Sequence, residues 1–203
     1  MNTKSHEVLQ FWFDDVVEKP ERLTARNKFW FRSSSAIDVE ISEQFKTDVE
    51  AAANGQYDDW GGDAHGLLAL IILLDQFPRN IYRGTAQAFA YDAIALAQCQ
   101  EMIASELLKD LELIERAFAL MPLQHSEDLD VQKQSVQSFG DLAQEATAAF
   151  KHTLNNNYLF AKDHLEIIEQ FGRYPHRNAV LGRESTEQEL KYLTSGGKTF
   201  GQA

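Results

Sequence analysis

The chain has 203 residues, 44% of them hydrophobic, which suits one well-filled core and leaves little room for more than a single domain. Its formal net charge of −12 argues against general nucleic-acid binding, which needs a basic face, and against binding to anionic membrane surfaces. With one cysteine, Cys99, it forms no internal disulfide and no cysteine zinc site, and Cys99 reads as a packing residue in a helix.

No segment alternates polar and apolar residues between hairpin turns, so the chain reads as helix after helix. Residues 5–13 form a short amphipathic start carrying Phe11, Trp12 and Phe13. Its first residues lack the apolar core of a signal peptide, and the expected location is the cytoplasm. A loop with Pro20 leads to a second aromatic cluster, Phe29, Trp30 and Phe31. Ile37, Ile41, Phe45 and Val49 recur every four residues and mark one helix face, closed by Asn54 and Gly55. Asp63 is the expected N-cap of a helix over 64–77 that is apolar on nearly every side and so central. Its apolar run, 67–74, is far short of the roughly 20 residues that span a bilayer. Pro78 is expected to stop or sharply bend it.

Thr85 is expected to cap a long helix to about Lys109, with Phe89, Ala93, Leu96, Gln100, Ile103 and Leu107 on one face. A short helix over 111–120 follows, and Pro122 breaks the chain. Ser126 is expected to cap a helix over 127–139. Tyr158, Ala161, Leu165 and Ile168 mark the inner face of a helix ending near Phe171 and Gly172. Ser185-x-x-Gln188 and Thr186-x-x-Glu189 are overlapping capping boxes for a last helix to about Thr194. The Gly-rich tail, 195–203, reads as loose. The expected fold is all-α: one domain over 1–203, an antiparallel array of eight or nine helices.

Two windows, 76–91 and 170–183, contain no Asp or Glu yet hold five of the nine arginines: Arg79, Arg83, Arg173, Arg177 and Arg183. Arg79-Asn80-x-x-x-Gly84 and Arg177-Asn178-x-x-x-Gly182 each follow an aromatic-Pro step. This is either a distant duplication or one turn type used at two helix ends. The second reading is favoured, because the surroundings do not align. Forked guanidiniums beside an amide suit carboxylate or phosphate.

Four stretches, Phe11-Trp12-Phe13, Leu73-Leu74-Asp75-Gln76-Phe77-Pro78-Arg79-Asn80, Met121-Pro122-Leu123-Gln124-His125-Ser126-Glu127-Asp128 and Gly172-Arg173-Tyr174-Pro175-His176-Arg177-Asn178, resemble in content and order a bacterial family of unknown function, numbered 924. The resemblance spans nearly the whole chain. It implies an all-helical fold similar to tetratricopeptide-like α-superhelices and carries no established reaction.

Three polar constellations stand out. Asp75 sits near the C-terminal end of an apolar helix, where a carboxylate is disfavoured by the dipole and needs a cation. Arg79, four residues on, either clasps it or is oriented by it toward a ligand. In His125-Ser126-Glu127-Asp128, helix capping accounts for the last three residues but not for His125. That residue suits an acid, a base or a metal ligand, or else a histidine satisfied inside the protein. The loop Arg173-Tyr174-Pro175-His176-Arg177-Asn178 carries two arginines and a histidine with few structural reasons, unless they bind carbonyls at helix ends. His6, His152 and His164 read as solvated helix positions, His65 as capping or packing, and Trp12, Trp30 and Phe31 as core. The metalloprotease HExxH, the phosphate-binding P-loop, the dinucleotide fingerprint and the GxSxG elbow are all absent.

The leading expectation is a binding module whose pocket, lined by Asp75, Arg79, Asn80, Arg173, His176, Arg177 and Asn178, takes a small anion, a carboxylate-bearing metabolite or an acidic peptide end. No cofactor or metal is implied. The alternatives are an acid–base enzyme, a hydrolase or lyase on an anionic substrate using His125 or His176 with Glu127 nearby, and a protein scaffold whose Arg-Asn corners are structural. Segments 75–80, 125–128 and 173–178 are expected to meet around one cavity.

Overall fold

The computed structural model describes residues 3–32 and 34–201, and every regular element among them is helical. In chain order these are α1 (Thr3–Phe13), α2 (Leu23–Phe31), α3 (Ser35–Ala53), α4 (Ala64–Ile71), α5 (Phe77–Ile81), α6 (Asp92–Ala104), α7 (Leu113–Ala119), α8 (Met121–His125), α9 (Leu129–Glu145), α10 (Lys151–Phe171) and α11 (Glu187–Thr194). Because α4 continues into α5 and only Leu120 separates α7 from α8, the eleven segments make nine rods. No described helix is long and apolar enough to cross a membrane.

The apolar stretch at 64–77 becomes the centre of the molecule. Asp63 caps α4 by accepting the Gly66 amide at 2.9 Å, and residues 66–79 are buried without interruption. Helices α1, α3, α6 and α7 pack around this rod. Gly66 lies so close to the Trp60 carbonyl that a Cβ there would sit 2.0 Å from its oxygen, so no larger residue fits. Trp12 and Phe13 from α1, Trp30 from α2 and Phe118 from α7 form a ring cluster with centroids 4.6–6.4 Å apart, edge-to-face except for the tilted Trp12–Trp30 pair. Such pairs each add about 0.5–1.5 kcal/mol beyond area burial.

Pro78 does not stop the rod. Residues Ile72–Gln76 form a π turn, in which the Phe77 amide reaches back to the Ile72 carbonyl. The wider turn takes up the extra residue, and Pro78 falls in the first turn of α5, where its missing N–H is not needed. Pro122 is accommodated in the same way at the start of α8 rather than breaking the chain.

Three further expectations are corrected. Thr85 caps no long helix: its hydroxyl donates to the Tyr82 carbonyl at 2.8 Å. The chain makes a 3-10 turn, Ala86–Phe89, before α6, which buries Ala95, Cys99 and Met102. The cap of α9 is Asp128, which accepts the Asp130 and Val131 amides at 2.9 and 3.0 Å, while Ser126 accepts the Asp128 amide. This frees Glu127 from the helix. In α10 the inner face carries Asn157, Ala161, His164 and Ile168, so His164, expected in solvent, is buried. Gly172 ends α10 in the left-handed conformation, φ 69°. Thr186 and Glu189 form the expected capping box of α11.

Candidate functional site

A cavity of about 310 Å³ lies where the end of α2, the π turn with α5, α8 and α10 meet, with Phe200 and Gly201 along one side. The π turn lifts Asp75 and Gln76 out of the regular helical register, and α8 carries Gln124 and His125 to the same place. A hydrogen bond from Trp30 Nε1 to the Trp12 carbonyl, 2.7 Å, fixes the end of α2 and with it the Trp30 and Phe31 rings at the wall.

Asp75 is fully buried, and its carboxylate is held on three sides. Gln76 Nε2 donates to Oδ2 at 2.6 Å, Arg79 Nη1 lies 3.3 Å from Oδ1, and His125 Nδ1 lies 2.6 Å from Oδ1. Burial would raise the Asp75 pKa, but the Arg79 guanidinium and His125 outweigh it and hold the carboxyl at about 2. Burial, seconded by Arg79, pushes His125 below its ordinary value despite the attraction of Asp75. At neutral pH Asp75 is therefore a carboxylate and His125 a neutral ring. A carboxylate only accepts, so the His125 proton sits on Nδ1 and Nε2 carries a lone pair. Nε2 has no hydrogen-bond partner among the described residues and is not sealed in, since His125 lines the cavity.

His164, on α10, has the same arrangement. Its Nδ1 faces the Phe160 carbonyl at 2.7 Å, its ring centre is 6.4 Å from that of His125, and burial lowers its pKa to about 3. Phe200 stacks on its ring with centroids 3.7 Å apart, and Arg83 Nη1 donates to the Gly201 carbonyl at 3.1 Å, so the described part of the tail lies against the cavity.

The arginines tell a different story. Arg79 binds Asp92 with both terminal nitrogens, at 2.9 and 3.0 Å. Arg177 reaches the same Asp92 at 3.3 Å, and its guanidinium lies 4.5 Å from the ring centres of both Phe89 and Tyr174. Arg83 and Asn80 share Asp38 at 2.8–2.9 Å. Arg183 forks onto Glu127 at 2.6 and 2.9 Å, and Arg173 onto Glu189 at 2.7 and 2.8 Å. The five arginines of the two acid-free windows thus face five carboxylates, Asp75, Asp92, Asp38, Glu127 and Glu189, drawn from outside those windows.

Of the residues singled out in the sequence, Arg79, Asn80 and His125 line the cavity, and Asp75 stands directly behind His125. Asp92 joins the 75–80 segment to Arg177. The rest of the third segment, Arg173, His176, Arg177 and Asn178, does not line the cavity. There Tyr174 is fully buried and its hydroxyl donates to the Gln124 carbonyl at 2.5 Å. Glu127 accepts the Tyr174 amide at 2.8 Å. His176 has its Nδ1 enclosed without a partner, and burial, followed by Arg177, lowers its pKa to about 4. Asp38, Asp92, Gln124, Asn157 and His164 were missed. Gln124 lies inside one of the long motifs, and His164 emerges once the α10 face is rotated by one residue. Asp38 and Asp92, in solvent-like helical starts, carry no local signal. No group of three or more metal-ligating side chains occurs among the described residues.

A model of bacterial proteins of unknown function, DUF924, matches residues 8–197. A solved protein of unknown function from Agrobacterium tumefaciens is 33% identical, with a TM-score of 0.73, over 91% of this chain and 99% of its own. No curated protein matches.

Proposed function

The chain belongs to the bacterial family DUF924, whose description states no activity, and we propose from the site itself that it is an acid–base enzyme acting on a small molecule, with His125 as the proton acceptor and Asp75 orienting it. One observation carries this reading: a 2.6 Å hydrogen bond from His125 Nδ1 to a fully buried carboxylate, with Nε2 open to a cavity of about 310 Å³. Nε2 takes a proton from a bound hydroxyl, water or carbon acid. The imidazolium so formed is stabilised by Asp75 and returns the proton to the departing or rearranged group. Arg79 holds Asp75 in place but has its own donors engaged by Asp92. Charge that develops on the substrate is therefore met by the amide donors of Gln124 and Asn157, which line the same cavity. His176 and Glu127 take no part, the first because it lies off the cavity, the second because Arg183 and the Tyr174 amide occupy its oxygens.

The test is a comparison of the protein with its His125→Gln variant, each incubated with a bacterial metabolite extract and followed by mass spectrometry. Compounds consumed only by the unaltered protein support the proposal. Identical profiles sink it.

A second reading, a non-catalytic module for a small anion or an acidic peptide end, is favoured by Arg32. It lines the cavity mouth, is exposed and has no ion-pair partner among the described residues. Here Arg32→Ala abolishes binding while His125→Gln leaves it intact.

A further inference from the structure

We infer that the cavity takes an uncharged ligand that joins a carboxamide-like group, N–H beside C=O, to a flat apolar body. The inference rests on the same cavity as the proposed function and names the class of molecule it accepts.

The floor of the cavity holds polar groups that are deeply buried yet open. Gln124 is 6% exposed, His164 6% and Asn157 8%. Neither the Gln124 nor the Asn157 side chain has a hydrogen-bond partner among the described residues, and both line the cavity. Their side-chain nitrogen and oxygen atoms are open to the cavity rather than sealed, so water meets them in the free protein, and a ligand that displaces this water must offer hydrogen bonds in its place. Together with the two imidazole Nε2 atoms, the floor offers amide donors, amide acceptors and nitrogen lone pairs, and no net charge. His125 and His164 are both neutral at physiological pH. Of the cations that line the cavity, Arg79 and Arg83 are matched by Asp92 and Asp38, and the unmatched one, Arg32, is exposed at the mouth rather than at the floor.

A carboxylate on this floor would accept from the two amide NH2 groups but would offer no donor to the two nitrogen lone pairs and the amide oxygens, with no unpaired positive charge at the floor to hold it. A carboxamide supplies N–H donors to the lone pairs and a carbonyl to the amide N–H groups. Sites built from hydrogen-bonding groups discriminate strongly against analogues that leave them unpaired. Above the floor the walls are aromatic: Phe31 and Phe160 are 55% and 50% exposed, and Trp30 and Phe200 line the same space. Exposed rings flanking a cavity suit a flat apolar partner.

The test uses benzamide and benzoate, which share a shape and differ in charge, titrated into the full chain and followed by NMR of the histidine rings and the Trp30 indole. Benzamide is expected to bind at least about tenfold more tightly than benzoate, a difference of about 1.4 kcal/mol. It should shift the His125 and His164 Nε2 signals, and the preference should vanish in the Gln124→Leu, Asn157→Leu double variant. Benzoate binding as well or better, neither compound binding at millimolar concentration, or a preference that survives the double variant overturns the inference. The proposed function fails separately: if His125 is charged or carries its proton on Nε2 at neutral pH, the base reading falls whichever compound binds. If His125 is neutral with an open Nε2 while benzoate wins, only the ligand class falls.

Discussion

The floor of the cavity and the corner at 173–183 are built from the same residue types and behave in opposite ways. In the corner the charged forks are closed: Arg173 and Arg183 each grip a carboxylate, Tyr174 is bonded through both its amide and its hydroxyl, and Gln132 Nε2 lies 2.6–3.2 Å from three carbonyls and the Tyr174 hydroxyl. In the cavity the charged groups are also closed, apart from Arg32 at the mouth, and what the floor presents is neutral: two imidazole nitrogens and two amides. The corner also keeps unpaired atoms, His176 Nδ1, Arg177 Nε, Asn178 Oδ1 and Arg183 Nε, but these are sealed from solvent, whereas the unpaired groups of the cavity floor are open to it and so available to a ligand. The number of arginines in a segment is therefore a poor guide to where binding occurs. What matters is which of them still have donors to give.

Four substitutions or conditions sharpen this contrast. The largest effect is expected from Arg79→Ala, which strips the cation from the fully buried Asp75. Breaking a buried pair from one side costs about 3–5 kcal/mol. The double variant Asp75→Asn, Arg79→Ala should recover part of that loss in a denaturant melt, and strictly additive losses would show that the two do not interact.

Next comes pH. His164 and His176, one from each region, are held by burial at about 3 and about 4. The unfolded chain takes up these protons first, below about 6.5. Stability is therefore complete above that pH and falls as pH drops toward the folded values, by on the order of 2 kcal/mol per histidine at pH 5. Asp75 acts in the same direction over a lower window: its contribution is present above its ordinary carboxyl range and lost as pH falls toward about 2. Urea melts between pH 7 and pH 5 should flatten in the His164→Gln variant. An unchanged slope contradicts the burial argument.

A more discriminating pair is Gln132→Leu and Gln124→Leu. The first leaves buried carbonyls and the Tyr174 hydroxyl without a donor and should cost about 1–3 kcal/mol. The second removes a group with no protein partner and should cost less than about 1 kcal/mol or stabilise the free protein. Equal losses in thermal or chemical melts would erase the distinction between the two regions. The smallest effect is expected from Arg183→Ala. Its partner Glu127 has 28% of its side chain exposed, and such pairs are worth about 1 kcal/mol or less.

Much of the fold was legible in the sequence. The apolar run at 67–74, the Asp63 cap, the four-residue steps of α3, Gly172 and the Thr186 box are local signals, and each appears where the pattern puts it. Boundaries failed where a competing local partner existed. Asp128 outbids Ser126 as a cap, and the Thr85 hydroxyl finds the Tyr82 carbonyl first. Proline failed as a stop signal because a π turn absorbed the extra residue. For the site, the Asp75–His125 pairing joins residues 50 positions apart, and nothing local announces it. The acids that neutralise the arginines are equally remote: Arg177 meets Asp92 across 85 positions. His164 and Asn157 were obscured because polar residues on an inner helix face do not register as apolar periodicity.

The central claim is that His125 is a neutral imidazole held through Nδ1 by Asp75, with its Nε2 lone pair open to the cavity. Nitrogen-15 NMR of the histidine rings tests it most directly. The account predicts that at neutral pH His125 carries a single proton, on Nδ1, and that Asp75→Asn disturbs this signal more than any other histidine signal. A doubly protonated His125, or one with its proton on Nε2 and no response to Asp75→Asn, would contradict it.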